Sequence, residues 1–365
     1  MNEIISKRVT YKELKDGSYR NAYIPQDSKF PVTTYLTSGL RDALITCPDN
    51  NDDSKTSIYV FVDNGNKEIG RLYLYGTRFM GGDKVYEAQT GLGLEVIDEY
   101  RGESVGAELM LFLSSNNEYD YVLVAGISQM ILPMYRKMKY HLFEIPQYYK
   151  VRHARNLFGS KGFKGWLLLG GFTVERAIRD FSNYIKYKKI KKNFVIKKET
   201  IIPEWVTDMI IKDGHKYMEV HNREWFQWAL GLNTHGNDIQ SFYSVYDRMN
   251  NPKGFFMTKE RIIEKHGSKD SHIRGTVIEW ESCDKSILSE ADINLLANQT
   301  FSKNVDVIFT LACESGTESQ LKKMGYHERA SFKIGVKDKK KQLKDVGDRS
   351  FWRLRYGYAS MVFSQ

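Results

Sequence analysis

The sequence has few cysteines and no long apolar run. Its three cysteines, Cys47, Cys283 and Cys313, lie far apart, and this spacing fits neither a disulfide framework nor a zinc knuckle. The eight histidines form no pair at metal-ligand spacing, so no metal site is predicted. A protein without disulfides belongs in a reducing compartment, and the predicted location is the cytoplasm.

Signals for secretion and membrane insertion are also missing. The N-terminal residues MNEIISKRVTYKEL lack the continuous apolar core of a signal peptide. No window reaches the roughly 18 uncharged apolar residues that a membrane span requires. Neither export nor true membrane insertion is expected.

Length and composition indicate an ordinary globular protein. With 365 residues, of which 41% are hydrophobic and 27% charged, the chain is long enough for two domains with separate cores. We place the first domain at residues 1–158, an apolar and then lysine-rich linker helix at 159–200, and a second domain at 201–365. The boundary rests on an abrupt change of composition within the linker.

The formal net charge is +9, and much of the excess is local. Two lysine runs carry it: Lys186, Lys188, Lys189, Lys191, Lys192, Lys197 and Lys198, and then Lys337, Lys339, Lys340 and Lys341. We interpret them as a solvated linker and a solvated loop rather than as a nucleic-acid site. The apolar residues 166–172 are expected to pack between the domains; the alternative is a peripheral membrane contact through 166–198.

The first half predicts a mixed sheet. Residues 58–79 have the pattern of a β-hairpin, and residues 86–97 form a third extended run that leads through a glycine-bearing turn into an apolar helix. A strand at 121–127, a helix at 131–140 and a further strand follow. Strand, helix and strand imply parallel pairing at that edge, whereas the hairpin is antiparallel. The predicted fold class is therefore α/β (α+β).

The second half repeats this order with unrelated residues. A hairpin turns at residues 250–254, and strands are predicted at 276–281, 305–312 and 326–336, separated by helices at 289–301 and 317–325. Tandem copies of one fold explain this order better than a single long sheet. Each copy is expected to be a mixed, mostly antiparallel sheet flanked by helices.

The turn before the first apolar helix resembles the acyl-CoA motif of the GNAT N-acyltransferase superfamily. Val96 stands where the family's strand ends in valine, and Arg101, Gly102, Val105 and Gly106 match a common form of the motif; Ser104 replaces a glycine. The residues expected to bind the cofactor are Val96, Arg101, Gly102, Glu103, Ser104, Val105, Gly106, Ala107 and Ser128. Independently of the resemblance, a helix head presents unpaired N–H groups and a positive dipole end that suit a diphosphate.

A second family element follows the next strand. Tyr135 and Tyr140 fall at the family's tyrosine and aromatic positions, while Lys139 replaces the usual glycine and Ser128 the usual asparagine. The resemblance implies transfer from acyl-CoA, acetyl-CoA above all, to an amine in a ternary complex, with Tyr135 as the acid. If Ser104 needs a positive φ, it weakens cofactor binding.

An alkyl amine must lose a proton before it attacks a thioester, so a base is required. Glu87 and Glu95 are the candidates, since strand alternation places both on one face if no bulge intervenes. A chain of water molecules is the alternative. The oxyanion is expected at the backbone N–H near Val96, where a bulge frees that group from the ladder.

The second half lacks the motif. Its corresponding turn, residues 281–289, has no arginine and no glycine pair, and Leu321 takes the tyrosine position, although Gly325 and Tyr326 keep the family's ending. We expect a GNAT-like domain without a cofactor site, which shapes the acceptor pocket or holds a partner.

Several functions stay open. The linker resembles those of tandem acyltransferases in some bacterial surface-polysaccharide pathways, which favours a small amine acceptor such as an aminosugar; nucleotide-sugars, polyamines and protein N-termini are also compatible. A non-catalytic scaffold follows if the substitutions at Ser104, Ser128 and Lys139 destroy the cofactor site. A transferase that uses aminoacyl-tRNA is the third possibility, since such enzymes duplicate this fold and have basic surfaces.

Overall fold

In the computed structural model, the strands of the described residues join into one sheet of fourteen strands, which includes the strands predicted from the sequence. The structure describes residues 4–19, 36, 38–63, 67–153, 179–234, 236–264 and 271–359. The apolar residues 166–172, predicted to lie between two domains or on a membrane, are outside these ranges.

The first half of the chain contributes six strands, and the predicted hairpin and mixed pairing are both present. Its elements are β1 (Ile4–Thr10), α1 (Tyr11–Lys15), α2 (Ser38–Thr46), β2 (Thr56–Asp63), β3 (Glu68–Gly81), β4 (Lys84–Val96), a 3-10 turn (Asp98–Tyr100), α3 (Val105–Ser115), β5 (Tyr121–Ala125), α4 (Leu132–Lys137) and β6 (His141–Val151). Strands β1 to β4 pair antiparallel, and β4 pairs parallel with β5.

The second half contributes eight strands. It consists of α5 (179–193), β7 (Phe194–Glu199), α6 (Trp205–Ile211), β8 (Tyr217–Glu219), α7 (Arg223–Leu230), β9 (Ile239–Asp247), β10 (Pro252–Glu264), β11 (Ser271–Ser282), α8 (Glu290–Thr300), β12 (Val307–Leu311), α9 (Thr317–Lys323), β13 (His327–Asp338), a second 3-10 turn (Arg349–Phe351) and β14 (Trp352–Arg353). The predicted linker helix thus ends at residue 193, because apolar Phe194, Val195 and Ile196 extend as β7 and pair with β9.

The two halves exchange strands at the middle of the sheet. Strand β13, from the second half, lies between β5 and β6 and pairs antiparallel with both. Strand β6, from the first half, lies between β13 and β12. The predicted division after residue 158 therefore separates the chain into two halves but does not divide the sheet.

Helices cover the sheet because each has one apolar stripe. In the first half, Leu109 and Leu113 of α3 are fully buried against Leu72 and Val122 of the sheet. Burying one such side chain stabilises the fold by about 2 kcal/mol. The opposite surface of β3 is filled by Tyr73 and Tyr75, which pack with α2 and α7. The fold is a mixed, mostly antiparallel sheet flanked by helices, as predicted, but both halves share this one sheet instead of forming a separate sheet each.

Candidate functional site

Strands β4 and β5 separate after a short stretch of pairing. They pair only from Ala88 to Thr90 of β4 and from Tyr121 to Leu123 of β5. Beyond this point β4 continues to Val96, while β5 pairs on its other edge with β13. We call the opening beside residues 91–96 the β4–β5 slot. All six of its β4 residues are partly exposed, so a ligand can reach the strand edge.

A bulge in β4 helps to open the slot. Gly93 and Leu94 together oppose the single residue Leu72 of β3. Gly93 has φ +62, and a Cβ there would lie 3.1 Å from the Tyr73 ring, so this position suits only glycine. A bulge bends its strand and increases the local twist. The bulge lies three residues before Val96 rather than at Val96 itself.

The backbone N–H of Val96 points into the slot. Val96 lies opposite Gly70 of β3, and the next amide, Ile97 N–H, donates to Ile69 O at 3.0 Å. In an antiparallel ladder this arrangement marks Val96 and Gly70 as a pair that does not exchange hydrogen bonds. The Val96 N–H is therefore directed away from β3, toward the side where β5 has diverged, which is where an oxyanion would need a donor.

The head of α3 is open to solvent. Residues Arg101, Gly102, Glu103 and Ser104 are exposed, and the Ser104 side chain makes no capping hydrogen bond to the helix. Gly102 has φ +101 and supplies the turn, whereas Ser104 has φ −68. Ser104 is therefore unstrained, and the weaker cofactor binding that a positive φ at this residue would cause is not expected. The first amides of the helix have no partner within it and are available to an anion.

Arg101 fixes the turn to the end of β4. Its Nε donates to Val96 O at 3.1 Å, and its Nη1 lies 2.7 Å from Asp98 Oδ1. Within the first helical turn, Val105 is buried, while Gly106 and Ala107 are partly exposed. A Cβ on Gly106 would contact only Val96 Cγ2, at 3.6 Å. The motif residues are thus gathered around one helix head beside the slot.

The two candidate bases lie on opposite faces of the sheet, because the bulge reverses the alternation between them. Glu87 pairs with Lys55 at 2.5 Å and is exposed. Glu95 is half-buried opposite Arg71 in register. Burial raises the pKa of Glu95, although Arg71 and Arg101 oppose the shift. The expectation that both carboxylates share a face is wrong.

Tyr135 is a buried residue of α4. Its ring meets Tyr140 edge-on at 4.9 Å, and burial raises the pKa of its hydroxyl to about 12. Lys139, at the family's glycine position, has φ +61, so this position does adopt the conformation that glycine favours. Ser128 is exposed in the loop before α4, where its carbonyl accepts from Leu132 N–H at 3.2 Å.

The second half has a corresponding opening that the C-terminal segment fills. Strands β11 and β12 pair only from Arg274 to Thr276 of β11 and from Val307 to Phe309 of β12, and then they separate. The next six residues of β11, Val277–Ser282, are all buried. Gly357 N–H donates to Ile278 O at 2.9 Å. We call residues 352–359 the C-terminal strap, since they cover this opening.

Buried ion pairs hold the strap in place. Arg353 contacts Glu281 at 2.8 Å and Glu279 at 3.0 Å, and Arg355 contacts Glu281 at 3.2 Å. His221 bonds to Glu279 at 2.8 Å. Burial alone would raise the pKa of Glu279, but Arg353 and His221 hold it at about 2. The sequence signal was present, since both glutamates and both arginines are spaced two apart, as on one face of a strand.

The helix head of the second half is closed. Ser289 and Asp292 form a capping box on α8, and the Glu290 carboxylate accepts from the backbone N–H groups of Cys313 and Glu314 at 3.0 and 2.8 Å. A cavity of about 630 Å³ lies over the preceding turn. It is lined by three carboxylates, Asp208, Asp213 and Asp284, beside Lys212 and Lys285. This mixture disfavours a diphosphate.

No group of three or more His, Cys, Asp and Glu side chains is placed to hold a metal ion within the described ranges. In the same part of the chain, no helix combines the length and the hydropathy needed to cross a bilayer.

Comparisons with known proteins identify the fold. No family model matches the sequence, and no curated protein matches it. Among solved structures, a probable N-acyltransferase from Enterococcus faecalis V583 has a TM-score of 0.53 at 11% identity over 93% of this chain and 74% of that one. Saccharomyces cerevisiae N-myristoyltransferase with bound myristoyl-CoA has a TM-score of 0.54 at 9% identity, over 93% of this chain and 83% of that one.

A third similar structure is a GCN5-related N-acetyltransferase from Anabaena variabilis, with a TM-score of 0.50 at 10% identity over 92% of this chain and 72% of that one. At such identities the likeness shows the fold. The chain has the fold of the GNAT N-acyltransferases, in a form that spans both halves.

Proposed function

We propose that this protein is an acyl-CoA-dependent N-acyltransferase whose reaction takes place in the β4–β5 slot. One observation carries the proposal. After the last parallel pair, the six β4 residues 91–96 are partly exposed, whereas the six corresponding β11 residues 277–282 are buried and the strap bonds to their edge at Ile278. The same fold therefore offers one open site and one closed site, which supports a second half without a cofactor site.

The cofactor is expected to bind from the α3 side of the sheet. Its diphosphate meets the open helix head at Ser104 to Ala107, where backbone N–H groups and the helix dipole favour an anion. Its pantetheine arm then lies along the edge of β4 that β5 leaves unpaired. The strand edge supplies hydrogen-bonding groups for the amides of that arm. The thioester carbonyl thereby reaches the Val96 N–H.

The acceptor amine is expected from the opposite face, where Glu95 lies. A carboxylate with a raised pKa accepts a proton more readily near neutral pH than an ordinary one. The deprotonated amine attacks the carbonyl carbon, the C–N bond forms, and the C–S bond breaks. Tyr135 donates a hydrogen bond to the departing sulfur. With a pKa of about 12 its phenol stays protonated, so the thiolate takes its proton finally from solvent.

We favour acetyl-CoA as the donor. Tyr73 and Tyr75 are each 1% exposed and fill the face of the sheet behind the slot. Little room is left there for a long acyl chain. For the acceptor we favour a small amine such as an aminosugar, because half-exposed polar groups on a strand edge suit a small polar molecule.

Calorimetry with acetyl-CoA tests the cofactor site. Gly106→Trp places a large side chain over the helix head and should abolish binding, while Gly106→Ala, which has room beside Val96, should bind as wild type does. Ile287→Trp, in the corresponding turn of the second half, is the matched control and should also bind normally. Equal binding by Gly106→Trp and wild type would remove the helix head from the site.

Release of free thiol from acetyl-CoA, screened over amines, tests the chemistry. Glu95→Gln should lower kcat by about 100-fold or more while acetyl-CoA binding is unchanged. Glu87→Gln, a carboxylate of the same strand on the other face, should keep the wild-type rate. A protein that binds no acyl-CoA and releases no thiol would instead be a non-catalytic scaffold of this fold.

A further inference from the structure

The outer surface of α5 combines exposed apolar side chains with a dense positive charge. Between residues 179 and 198 there are eight basic residues and one acidic residue, an excess of seven on a chain whose net charge is +9. Within this segment Phe181 is 66% exposed, Ile185 55% and Tyr184 47%. A cluster of exposed apolar groups of this size on a helix is typical of a docking surface.

The arrangement along the helix is regular. Phe181, Ile185, Lys188 and Lys192 follow one another at intervals of four, three and four residues, which places them on one stripe of α5. Tyr184, Lys189 and Lys191 flank this stripe and are also exposed. The outer face is therefore apolar at its N-terminal end and cationic at its C-terminal end.

The inner face of α5 is fixed to the body of the protein. Asn183 donates to Met324 O at 3.1 Å, and Lys186 pairs with Asp292 at 3.0 Å. At the end of the helix, Arg248 donates to the carbonyls of Lys192 and Lys191 at 2.7 and 2.6 Å. The outer stripe is thus presented by a helix that is held at Asn183, at Lys186 and at its C-terminal end.

A neighbouring turn extends the same surface. Met249 follows Arg248 in the β9–β10 turn and is 80% exposed. Lys197 reaches this turn, where its Nζ donates to Asn250 Oδ1 at 2.8 Å. Another apolar side chain and another ammonium group therefore lie beside the C-terminal end of α5.

We propose that this surface, Phe181 to Lys192 with Met249 and Lys197, docks the protein on an anionic lipid bilayer. Apolar side chains enter the boundary between headgroups and acyl chains, and the lysines contact lipid phosphates. Ile185 favours a bilayer over a nucleic acid, because an aliphatic side chain gains nothing from a phosphate backbone and cannot stack on a base. The proposal is independent of the transferase assignment.

Co-sedimentation with vesicles tests the surface. The protein should bind vesicles that contain phosphatidylglycerol, bind weakly to pure phosphatidylcholine, and lose binding as salt is added. Lys188→Gln with Lys192→Gln should weaken binding by about 25-fold, about fivefold for each lysine. The matched control, Lys12→Gln with Lys303→Gln, removes the same charge from exposed sites elsewhere and should leave binding nearly unchanged.

The apolar contribution has its own variant pair. Phe181→Ser should weaken vesicle binding at least about fivefold, and Ile185→Ser should act in the same direction. Ile239→Ser, at an isoleucine that is 60% exposed on β9, is the control and should bind normally. Equal binding to neutral and anionic vesicles overturns the proposal. So does tight binding of single-stranded RNA that the lysine pair weakens and Phe181→Ser does not.

Discussion

Replacing His221 should change how stability depends on pH. His221 is 1% exposed, stacks on Trp225 at 3.6 Å, and lies between the carboxylates of Glu279 at 2.8 Å and Glu219 at 3.3 Å. Burial by itself would lower the pKa of His221, but the two glutamates raise it to about 9. At neutral pH the ring is therefore a buried cation that lies between two buried carboxylates.

The size and sign of the effect follow from linkage. An unfolded histidine titrates near 6.5, so the stabilisation is fully present below pH 6.5 and is lost as pH rises to about 9. That interval corresponds to about 3 kcal/mol. In His221→Gln the loss is absent, because glutamine does not titrate. The stability gap between wild type and variant should shrink by this amount across the interval.

Urea unfolding at a series of pH values from 6 to 10 measures that gap. The expected result is a wild type that is clearly more stable near pH 6 and two curves that converge near pH 9 to 10. The control is His153→Gln, at a partly exposed histidine that pairs with neither of these glutamates. A gap that stays constant with pH for His221→Gln would refute the buried-cation interpretation.

Three further predictions concern stability and reactivity. Arg353→Met should cost about 3 kcal/mol in thermal or urea unfolding, since it removes the cation that two buried carboxylates share; a cost below 1 kcal/mol would contradict the ion network. Lys139→Gly should stabilise the protein by about 1 kcal/mol because φ is +61, and a lower melting temperature would argue against that conformation. Cys283 is exposed, Cys47 is buried, and burial raises the pKa of Cys313. A thiol reagent should therefore label only Cys283 before unfolding. Fast labelling of all three cysteines would contradict this prediction.

Local signals predicted the parts of the site that are close together in the chain. The glycine-bearing turn and the apolar repeat of α3 lie within about twenty residues of Val96, so their neighbourhood follows from chain connectivity. The same is true of the glycine position at Lys139, whose positive φ depends on the end of a single helix. Such features need no knowledge of distant strands.

Features set by pairing between distant segments could not be predicted in this way. No local pattern places β13 between β5 and β6, because both neighbours are more than 170 residues away. The bulge at Gly93 places Glu95 on the opposite face of the sheet from Glu87. A bulge shifts the side-chain alternation of a strand without a matching change in its composition. Glycine within the strand was the available hint. The closed opening of the second half likewise depends on a segment that follows it by 70 residues or more.

The exchange of β6 and β13 has a consequence for how the protein is made. While a ribosome has released only the first half, β5 and β6 lack the strand that belongs between them, and their edges stay open to wrong partners. The central sheet closes only after residue 338 emerges, so β5 and β6 stay incomplete while almost 190 further residues are made. Neither half expressed alone contains the strands of one finished sheet.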